Sequence, residues 1–272
     1  MAGNLLIICP MRKHIISLFI LLTLSVIAYG QRSIGSIPAP QGFNRIEVSG
    51  FGAYLRSLSL KPEGSKVHLY DGSAKFWQGG AYAIVDMEIG TTDLQQCADA
   101  CIRLRAEYLW RSKQYSAIHF NFTNGFRADY SKWAEGYRIN VRGNKAEWYK
   151  AGEADYSYRA FRKYLNIVFS YAGTASLSQE MISISLNDAR PGDVFIIGGH
   201  PGHAMIIVDM AEDVTGRKAI LVAQSYMPAQ DIHVVTNLND KKTSPWYVFD
   251  NNTQSFSFPE WGFNAGQIKR FR

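Results

Sequence analysis

The sequence predicts an α+β fold for residues 31–272, in which helices precede an antiparallel sheet. Two groups of segments support this prediction. Residues 93–113 and 158–171 carry apolar side chains at helical spacing, so each segment is expected to form an amphipathic helix. Short apolar runs separated by turns follow near the carboxyl end, as expected for strands, at residues 194–197, 204–210 and 219–225. Helices followed by a meander of strands are typical of the α+β class.

Length and composition limit what this chain can be. It has 272 residues, enough for one large domain or two small ones, and no linker, repeat or low-complexity segment interrupts residues 31–272. We therefore expect a single domain. Hydrophobic residues make up 47% of the chain and charged residues 19%, which excludes an intrinsically disordered protein.

The first 30 residues have the pattern of a secretory signal peptide. Two basic residues at positions 12–13 precede an apolar run at 15–28, which ends in a small-x-small cleavage site before Gln31. We expect export to the periplasm or the extracellular space, with residues 1–30 removed. Met11 is an alternative translation start. The apolar run is shorter than the roughly 20 residues that span a bilayer, so a retained membrane anchor is the weaker interpretation.

Charge and motifs argue against nucleic-acid and cofactor partners. Loss of the signal peptide removes two of the 29 basic residues and none of the 23 acidic residues, which leaves a net charge of +4. No block of five like charges occurs. The sequence also lacks a phosphate-binding loop, a dinucleotide fingerprint and a Gly-x-Ser-x-Gly motif, so we expect no cofactor and no serine nucleophile.

Shorter elements fill the rest of the chain. We expect strands at residues 43–48, 81–89 and 117–122 and a short helix at 52–58. Asp71-Gly72 and Gly143-Asn144 are each flanked by strand-forming segments, which predicts two hairpin turns. Residues 236–262 are rich in aromatic side chains and are expected to form a long irregular loop.

Two cysteines, Cys97 and Cys101, follow the signal peptide and lie four residues apart. Thr92 and Gln95 have the spacing of a capping box, so the helix that carries both cysteines is expected to begin there. A disulfide between residues i and i+4 of a helix strains its torsions, so both thiols are expected to be free. Cys97 lies near the positive end of the helix dipole, which favours a thiolate and makes it a candidate nucleophile. Packing in the core is the alternative for Cys97 and the expected role of Cys101.

His203 is the candidate base, because cysteine catalysis needs a group that takes the thiol proton. It opens a strand behind a glycine, so its ring is expected at a sheet edge that faces a cleft. The two strands from this point are expected to form a hairpin, which brings Gln224, at the end of the second strand, close to His203. The Gln224 amide would hold one imidazole nitrogen so that the other faces Cys97. Alternative orienting residues are Ser225, Asp209 and Gln230.

Three other interpretations remain open. One is a zinc site without a standard ligand spacing, formed by Cys97, Cys101, His200 and His203. Asp86 and Glu88 share one strand face and could serve as glycosidase carboxylates, although such a pair is more often a solvated face. A non-catalytic protein of the cell envelope would instead bind a ligand in an aromatic groove, with Trp77, Trp133, Trp246 and Trp261 as candidates.

Two segments are similar to cell-wall amidases of the NlpC and CHAP types. They are residues 190–195, Arg-Pro-Gly-Asp-Val-Phe, and residues 202–208, Gly-His-Ala-Met-Ile-Ile-Val. The resemblance implies a papain-like core, with a helix-borne cysteine packed on an antiparallel sheet and with N-terminal elaboration. It implies Cys97 as nucleophile, His203 as base and Gln224 as orienting residue, acting on a peptide or peptidoglycan-like substrate. The expected function is therefore that of a secreted cysteine amidase or peptidase.

Over its whole length the chain also resembles a family of secreted bacterial proteins known only as a domain of unknown function. The segments that carry this resemblance are residues 67–72, 94–100, 119–125 and 223–230. The resemblance implies no established activity.

Overall fold

A nine-stranded sheet, in which every strand pair is antiparallel, organises the computed structural model. The structure describes residues 32–272, which belong to one compact unit. The predicted signal peptide, residues 1–30, lies outside the described residues. Helices and antiparallel strands occur together in this unit, so the predicted α+β class is confirmed.

Five helices and fifteen strands are defined within residues 32–272. The helices are α1 (Gly50–Arg56), α2 (Cys97–Arg111), α3 (Tyr130–Ala134), α4 (Tyr158–Tyr171) and α5 (Thr174–Glu180). The strands are β1 (Phe43–Arg45), β2 (Ala81–Ile84), β3 (His119–Asn121), β4 (Arg127–Asp129), β5 (Tyr137–Arg142), β6 (Lys145–Lys150), β7 (Ile182–Ser183), β8 (Val194–Ile197), β9 (His203–Asp213), β10 (Lys218–Gln224), β11 (His233–Val235), β12 (Tyr247–Phe249), β13 (Ser255–Phe258), β14 (Trp261–Asn264) and β15 (Ile268–Arg270). None of these helices has the length and hydropathy required to cross a membrane.

Strands β9 and β10 form the hairpin at the centre of the large sheet. The strand order is β2-β11-β10-β9-β8-β15-β7, with β1 paired to β9 and β12 paired to β10. Ala223 pairs with Ile206, and the register shifts between Leu221 and Val222. This pairing brings the end of β10 beside the start of β9, as the sequence predicts.

Side chains on β9 alternate between two hydrophobic cores, one on each face of the sheet. Ala204, Ile206 and Val208 pack in the larger core with residues of α2 and α4. Met205 and Ile207 pack in the second core with aromatic residues of β12, β13 and β14. Because both faces are covered, β9 is buried along most of its length and its residues 204–208 form a continuous apolar run.

Helix α2 begins at Cys97, so the start predicted after Thr92 is wrong. The residues between them form tight turns, and the Asp93 carboxylate accepts the backbone N–H of Ala229 at 2.7 Å. The carboxylate of Asp99 then accepts the backbone N–H of the residue before the helix at 3.1 Å. Asp93 therefore contacts a distant segment and lies outside the helix, whose first residue is Cys97.

The other predicted helices and strands are present. The strands predicted at 43–48, 81–89 and 117–122 are shorter in the structure, whereas α4 and β8 have their predicted bounds. Gly72 and Gly143 lie in the predicted turns with φ of 85° and 58°, and Gly143 closes the β5–β6 hairpin. The loop expected at residues 236–262 is wrong, because this segment contains β12, β13 and the start of β14. Side chains in β13 alternate between solvent and the second core, where Phe256 and Phe258 are buried.

Candidate functional site

Cys97, the predicted nucleophile, is the first residue of α2, a helix that packs on β9. Its side chain is nearly buried, at 7% exposure, and it lines a cavity of about 390 Å³. Cys101, one turn further along the helix, is completely buried. Both thiols are free, as the sequence predicts.

The Cys97 thiol is not the acidic one that a helix start alone would produce. Burial raises its pKa above the usual value, and hydrogen bonding to the backbone of Ala204 opposes this rise. Ala204 directly follows His203, so this contact places the sulfur near the start of β9. The expected thiolate is therefore wrong for the resting protein, in which a neutral thiol needs a base to lose its proton.

His203, the predicted base, is the first residue of β9 and is only 1% exposed. Its ring packs against Tyr226 and Trp261, both at a centroid distance of 5.1 Å, and against Phe263 at 6.2 Å. Burial lowers the pKa of His203 to about 4, and its hydrogen bond to Gln224 opposes this effect. The imidazole is neutral at pH 7, which is the form that a general base requires.

Gln224, the orienting residue predicted from the hairpin, contacts His203 directly. Its Oε1 atom lies 2.8 Å from Nε2 of His203. Its Nε2 atom donates to Oε2 of Glu260 at 2.8 Å and lies 3.4 Å from Nε2 of His233. Since Nδ1 of His233 lies 3.0 Å from the carbonyl of Asp231, Nδ1 carries the proton and Nε2 of His233 is an acceptor.

These contacts determine which nitrogen of His203 carries its proton. Two acceptors face the amide nitrogen of Gln224, so the amide oxygen must face His203. That oxygen can only accept, and Nε2 of His203 must therefore donate. Nδ1 of His203 keeps a lone pair and is the atom available to take a proton.

Glu260 holds the Gln224 amide, although nothing in the sequence marked it. It lies in the turn between β13 and β14 with φ of 71°, a conformation that residues other than glycine rarely adopt. Its carboxylate is 2.7 Å from Nζ of Lys75, and both side chains are largely buried. Its partners Gln224 and Lys75 lie 36 and 185 residues away along the chain, so no local pattern could have predicted the contact.

Cys97 and His203 lie on neighbouring elements, but no hydrogen bond joins their side chains in the part of the chain that the structure describes. Trp261 links their surroundings, because it packs on His203 and also lines the Cys97 cavity. Catalytic hydrogen bonds are often long in unliganded enzymes and shorten when substrate binds. The structure thus brings all three predicted residues to one end of β9, with the contact between His203 and Gln224 formed.

Within residues 32–272, no hydrogen bond joins His203 to Asp209, Ser225 or Gln230, the alternative orienting residues. The carboxylate of Asp209 is paired with Arg45 and Arg56 at 2.7 and 2.6 Å. The hydroxyl of Ser225 donates to the backbone carbonyl of Gln230 at 2.7 Å. The buried Nε2 atom of Gln230 has no hydrogen-bond partner in these residues. A role of Asp209, Ser225 or Gln230 as the third residue is therefore not supported by a contact.

The zinc and glycosidase interpretations also find no support in the geometry. Within residues 32–272, no group of three or more His, Cys, Asp or Glu side chains is placed to hold a metal ion. The candidate zinc ligands were Cys97, Cys101, His200 and His203. Asp86 and Glu88 are exposed, and Glu88 lies 3.5 Å from Arg162. Both carboxylates belong to a solvated surface, which is their simpler interpretation.

The four tryptophans considered for a ligand groove separate into two pairs. Trp133 and Trp246 are core residues whose indole N–H groups donate to backbone carbonyls, so their assignment to a groove is wrong. Trp77 is 41% exposed. Trp261 lines the Cys97 cavity and is the only one of the four placed at the candidate site.

One family model matches most of the chain. Its description is Domain of unknown function (4846), and it covers residues 35–270. The chain belongs to this family. The candidate site lies entirely within the matched range, and the predicted resemblance to a domain of unknown function is confirmed. The resemblance to NlpC-type and CHAP-type amidases has no support from these comparisons, since no curated protein and no solved structure matches the chain.

Proposed function

We propose that this protein is an exported cysteine hydrolase that cleaves an amide bond in a cell-wall peptide or another peptide. Cys97 is the nucleophile, His203 is the base and Gln224 orients the base. The observation that supports this proposal is the 2.8 Å hydrogen bond between Oε1 of Gln224 and Nε2 of His203. It leaves Nδ1 of His203 unprotonated at the end of β9 where Cys97 packs.

The reaction begins when Nδ1 of His203 takes the thiol proton and the sulfur of Cys97 attacks the substrate carbonyl. The C–N bond then breaks, the amine leaves with that proton, and a thioester remains on Cys97. His203 then takes a proton from a water molecule, and the oxygen of that water attacks the thioester. The C–S bond breaks, the acid is released, and the proton returns to the sulfur to restore the thiol. Backbone N–H groups in the first turn of α2 have no intrahelical acceptor, so they are available to the oxyanion.

The two reacting groups start neutral in this mechanism. Burial raises the pKa of the Cys97 thiol and lowers that of His203 to about 4, so an ion pair is not favoured before substrate binds. Proton transfer creates an imidazolium during the attack. Oε1 of Gln224 accepts a hydrogen bond from Nε2–H of that imidazolium. The carboxylate of Glu260 accepts a hydrogen bond from the amide nitrogen of Gln224 and so stabilises this orientation.

A papain-like core is part of the proposal. It is supported by a cysteine at the start of a helix that packs on an antiparallel sheet, with a histidine and an amide side chain on two paired strands. In such a core the amide side chain binds one imidazole nitrogen and the thiol faces the other. Export is supported by the signal-peptide pattern in residues 1–30.

A non-catalytic ligand-binding protein of the cell envelope is the second candidate. The raised pKa of the Cys97 thiol favours this alternative, because a neutral, nearly buried thiol is a poor nucleophile. Trp261 would then contact the ligand in the Cys97 cavity rather than shield the base.

Incubation of the purified protein with peptidoglycan and with peptide libraries, followed by mass spectrometry of the products, tests the proposal. A gain of one water per cleaved amide is expected with the wild-type protein, and none with Cys97→Ala. Cys101→Ala is the matched control and should retain cleavage, because Cys101 is buried behind the site. Cleavage by Cys97→Ala, or retention of peptides without cleavage by the wild-type protein, would contradict the hydrolase and favour the second candidate.

A further inference from the structure

The carboxyl group of Asp99 has one oxygen without a hydrogen-bond partner in the described part of the chain. Asp99 lies in the first turn of α2 and is 6% exposed. Its Oδ2 atom accepts the backbone N–H of Gln96, whereas its buried Oδ1 atom accepts nothing from residues 32–272. Leaving such an atom unpaired is costly, so it points to a ligand that supplies a donor.

Asp99 lines the same cavity as Cys97, and the lining of that cavity is acidic. Asp93 contributes a second carboxylate, and no Lys or Arg occurs among the lining residues that the structure describes. Asp93 has its own partners, since its Oδ1 atom accepts from the backbone N–H of Ala229 and from Nε2 of Gln96. Asp99 is therefore the carboxyl group left over for a ligand.

We propose that this cavity recognises a substrate bearing a primary amino group close to the scissile carbonyl, with Oδ1 of Asp99 as its acceptor. The inference rests on the proposed hydrolase function and names the substrate class for the same site. A cationic donor suits this cavity better than a neutral one, because the Asp93 carboxylate attracts it, Asp99 becomes a carboxylate beside it, and no Lys or Arg among the described lining residues repels it.

The spacing of Cys97 and Asp99 limits the distance between the amino group of the substrate and the carbonyl carbon that Cys97 attacks. The Cα atoms of residues i and i+2 of an α-helix are about 5.4 Å apart, although their side chains leave the axis on different sides. Because Cys97 and Asp99 both line this cavity, they can contact neighbouring parts of one ligand. An extended peptide advances about 3.3–3.6 Å per residue. The amino group therefore belongs to the residue whose carbonyl is attacked or to the residue before it.

Binding of such a ligand should release a proton. Burial raises the pKa of Asp99 to about 8, so the carboxyl is mostly neutral in the empty cavity at pH 6.5. An ammonium group beside it favours the carboxylate, and about one proton is lost to the buffer for each ligand bound. The other titratable groups that face this part of the cavity are Asp93 from the preceding segment, Cys97 from α2 and His200 from the β8–β9 loop. Cys101 lies close to Asp99 on the buried side of α2.

The test uses calorimetry on the full protein carrying Cys97→Ala, which prevents turnover. The probes are alanyl-alanine amide and its N-acetyl form, which differ only in the amino group. We expect the free amine to bind about tenfold more tightly or better, the range of a hydrogen bond to a charged group. Titrations at pH 6.5 in buffers of different ionisation enthalpy should show about one proton released.

Asp99→Asn should abolish both the preference and the proton release, while its amide oxygen can still accept the N–H of Gln96. Asp86→Asn, which removes an exposed carboxylate outside the cavity, is the matched control and should change neither. If Asp99→Asn fails to fold, the comparison of the two probes still decides.

Equal affinity for the two probes, including failure of both to bind at millimolar concentration, overturns the inference. A preference that Asp99→Asn leaves intact also overturns it. Turnover of peptides by the wild-type protein is a separate measurement. A preference for the amine without turnover contradicts the proposed hydrolase function but supports the amine site. Turnover without a preference supports the hydrolase function but contradicts the amine site.

Discussion

His203 donates its Nε2 proton to Oε1 of Gln224 at 2.8 Å, across two paired strands and 21 residues of sequence. Gln224 can hold this orientation only because its amide nitrogen is itself bound to acceptors. The direction of one side-chain amide thus decides which imidazole nitrogen keeps its lone pair, and in the proposed mechanism this nitrogen takes the proton of Cys97.

Replacing Gln224 with Ala should slow hydrolysis about fivefold, because one orienting hydrogen bond contributes on the order of 1 kcal/mol. Steady-state rates measured beside circular dichroism separate this effect from unfolding. Gln254→Ala, at an exposed glutamine, is the matched control and should leave the rate unchanged. An unchanged rate in a folded Gln224→Ala protein would remove Gln224 from the mechanism.

Replacing Glu260 with Gln should also slow hydrolysis by a few-fold. Gln224 then loses a charged acceptor, and the side-chain amide of Gln224 can rotate away from its present orientation. The effect should add little to that of Gln224→Ala in the double variant, since both changes act through the same hydrogen bond. Rates of the two single variants and the double variant form the required cycle. Glu63→Gln, at an exposed site, is the control, and fully additive effects would contradict this role of Glu260.

Alkylation by iodoacetamide should modify Cys97 before Cys101, and its rate should keep rising above pH 9. The physical reason is that burial raises the pKa of both thiols, while only Cys97 borders the cavity. Peptide mapping by mass spectrometry at several pH values gives the two rates separately. A Cys97 rate that already reaches its plateau near pH 7 would reveal a preformed thiolate and contradict the neutral resting pair.

Acid should destabilise the fold between about pH 6.5 and pH 4. Burial lowers the pKa of His203 and of His233 to about 4, whereas an unfolded histidine titrates near 6.5. The unfolded chain therefore binds protons first as the pH falls, and each histidine removes up to about 3 kcal/mol of stability below pH 4.

Urea unfolding at pH 7 and pH 5 measures this loss. His233→Gln should reduce the difference between the two pH values, whereas His200→Gln, at an exposed histidine, should retain it. If the free energy of unfolding depends equally on pH in the wild-type protein and in His233→Gln, His233 is not the source of the acid destabilisation.

The β9–β10 hairpin shows how far sequence reasoning reaches at this site. Two apolar strands joined by a short turn can pair in few ways, and the pairing predicted Gln224 beside His203. Helix α4 was predictable for a similar reason, because its apolar spacing over residues 158–171 matches one helical face. Both predictions depend only on residues that are close together in the chain.

The start of α2 and the contact between Glu260 and Lys75 could not be predicted in this way. Asp93 accepts a hydrogen bond from the distant Ala229, and α2 begins four residues later, at Cys97, rather than after Thr92. Glu260 follows a segment whose alternating pattern is only four residues long, too short to distinguish from a loop. In each case the deciding partner is more than 100 residues away along the chain.

Because Glu260 lies near the carboxyl end, it is the last residue of the hydrogen-bonded group around His203 to be added during translation. Ribosomes add residues from the amino end, so Cys97, His203 and Gln224 all exist before Glu260 is joined to the chain. Until the β13–β14 turn has been made and has docked, Lys75 has no carboxylate to pair with and the Gln224 amide lacks its strongest acceptor. A nascent or truncated chain that ends before this turn should therefore carry the proposed nucleophile and base, while the imidazole of His203 is not yet held in its final orientation.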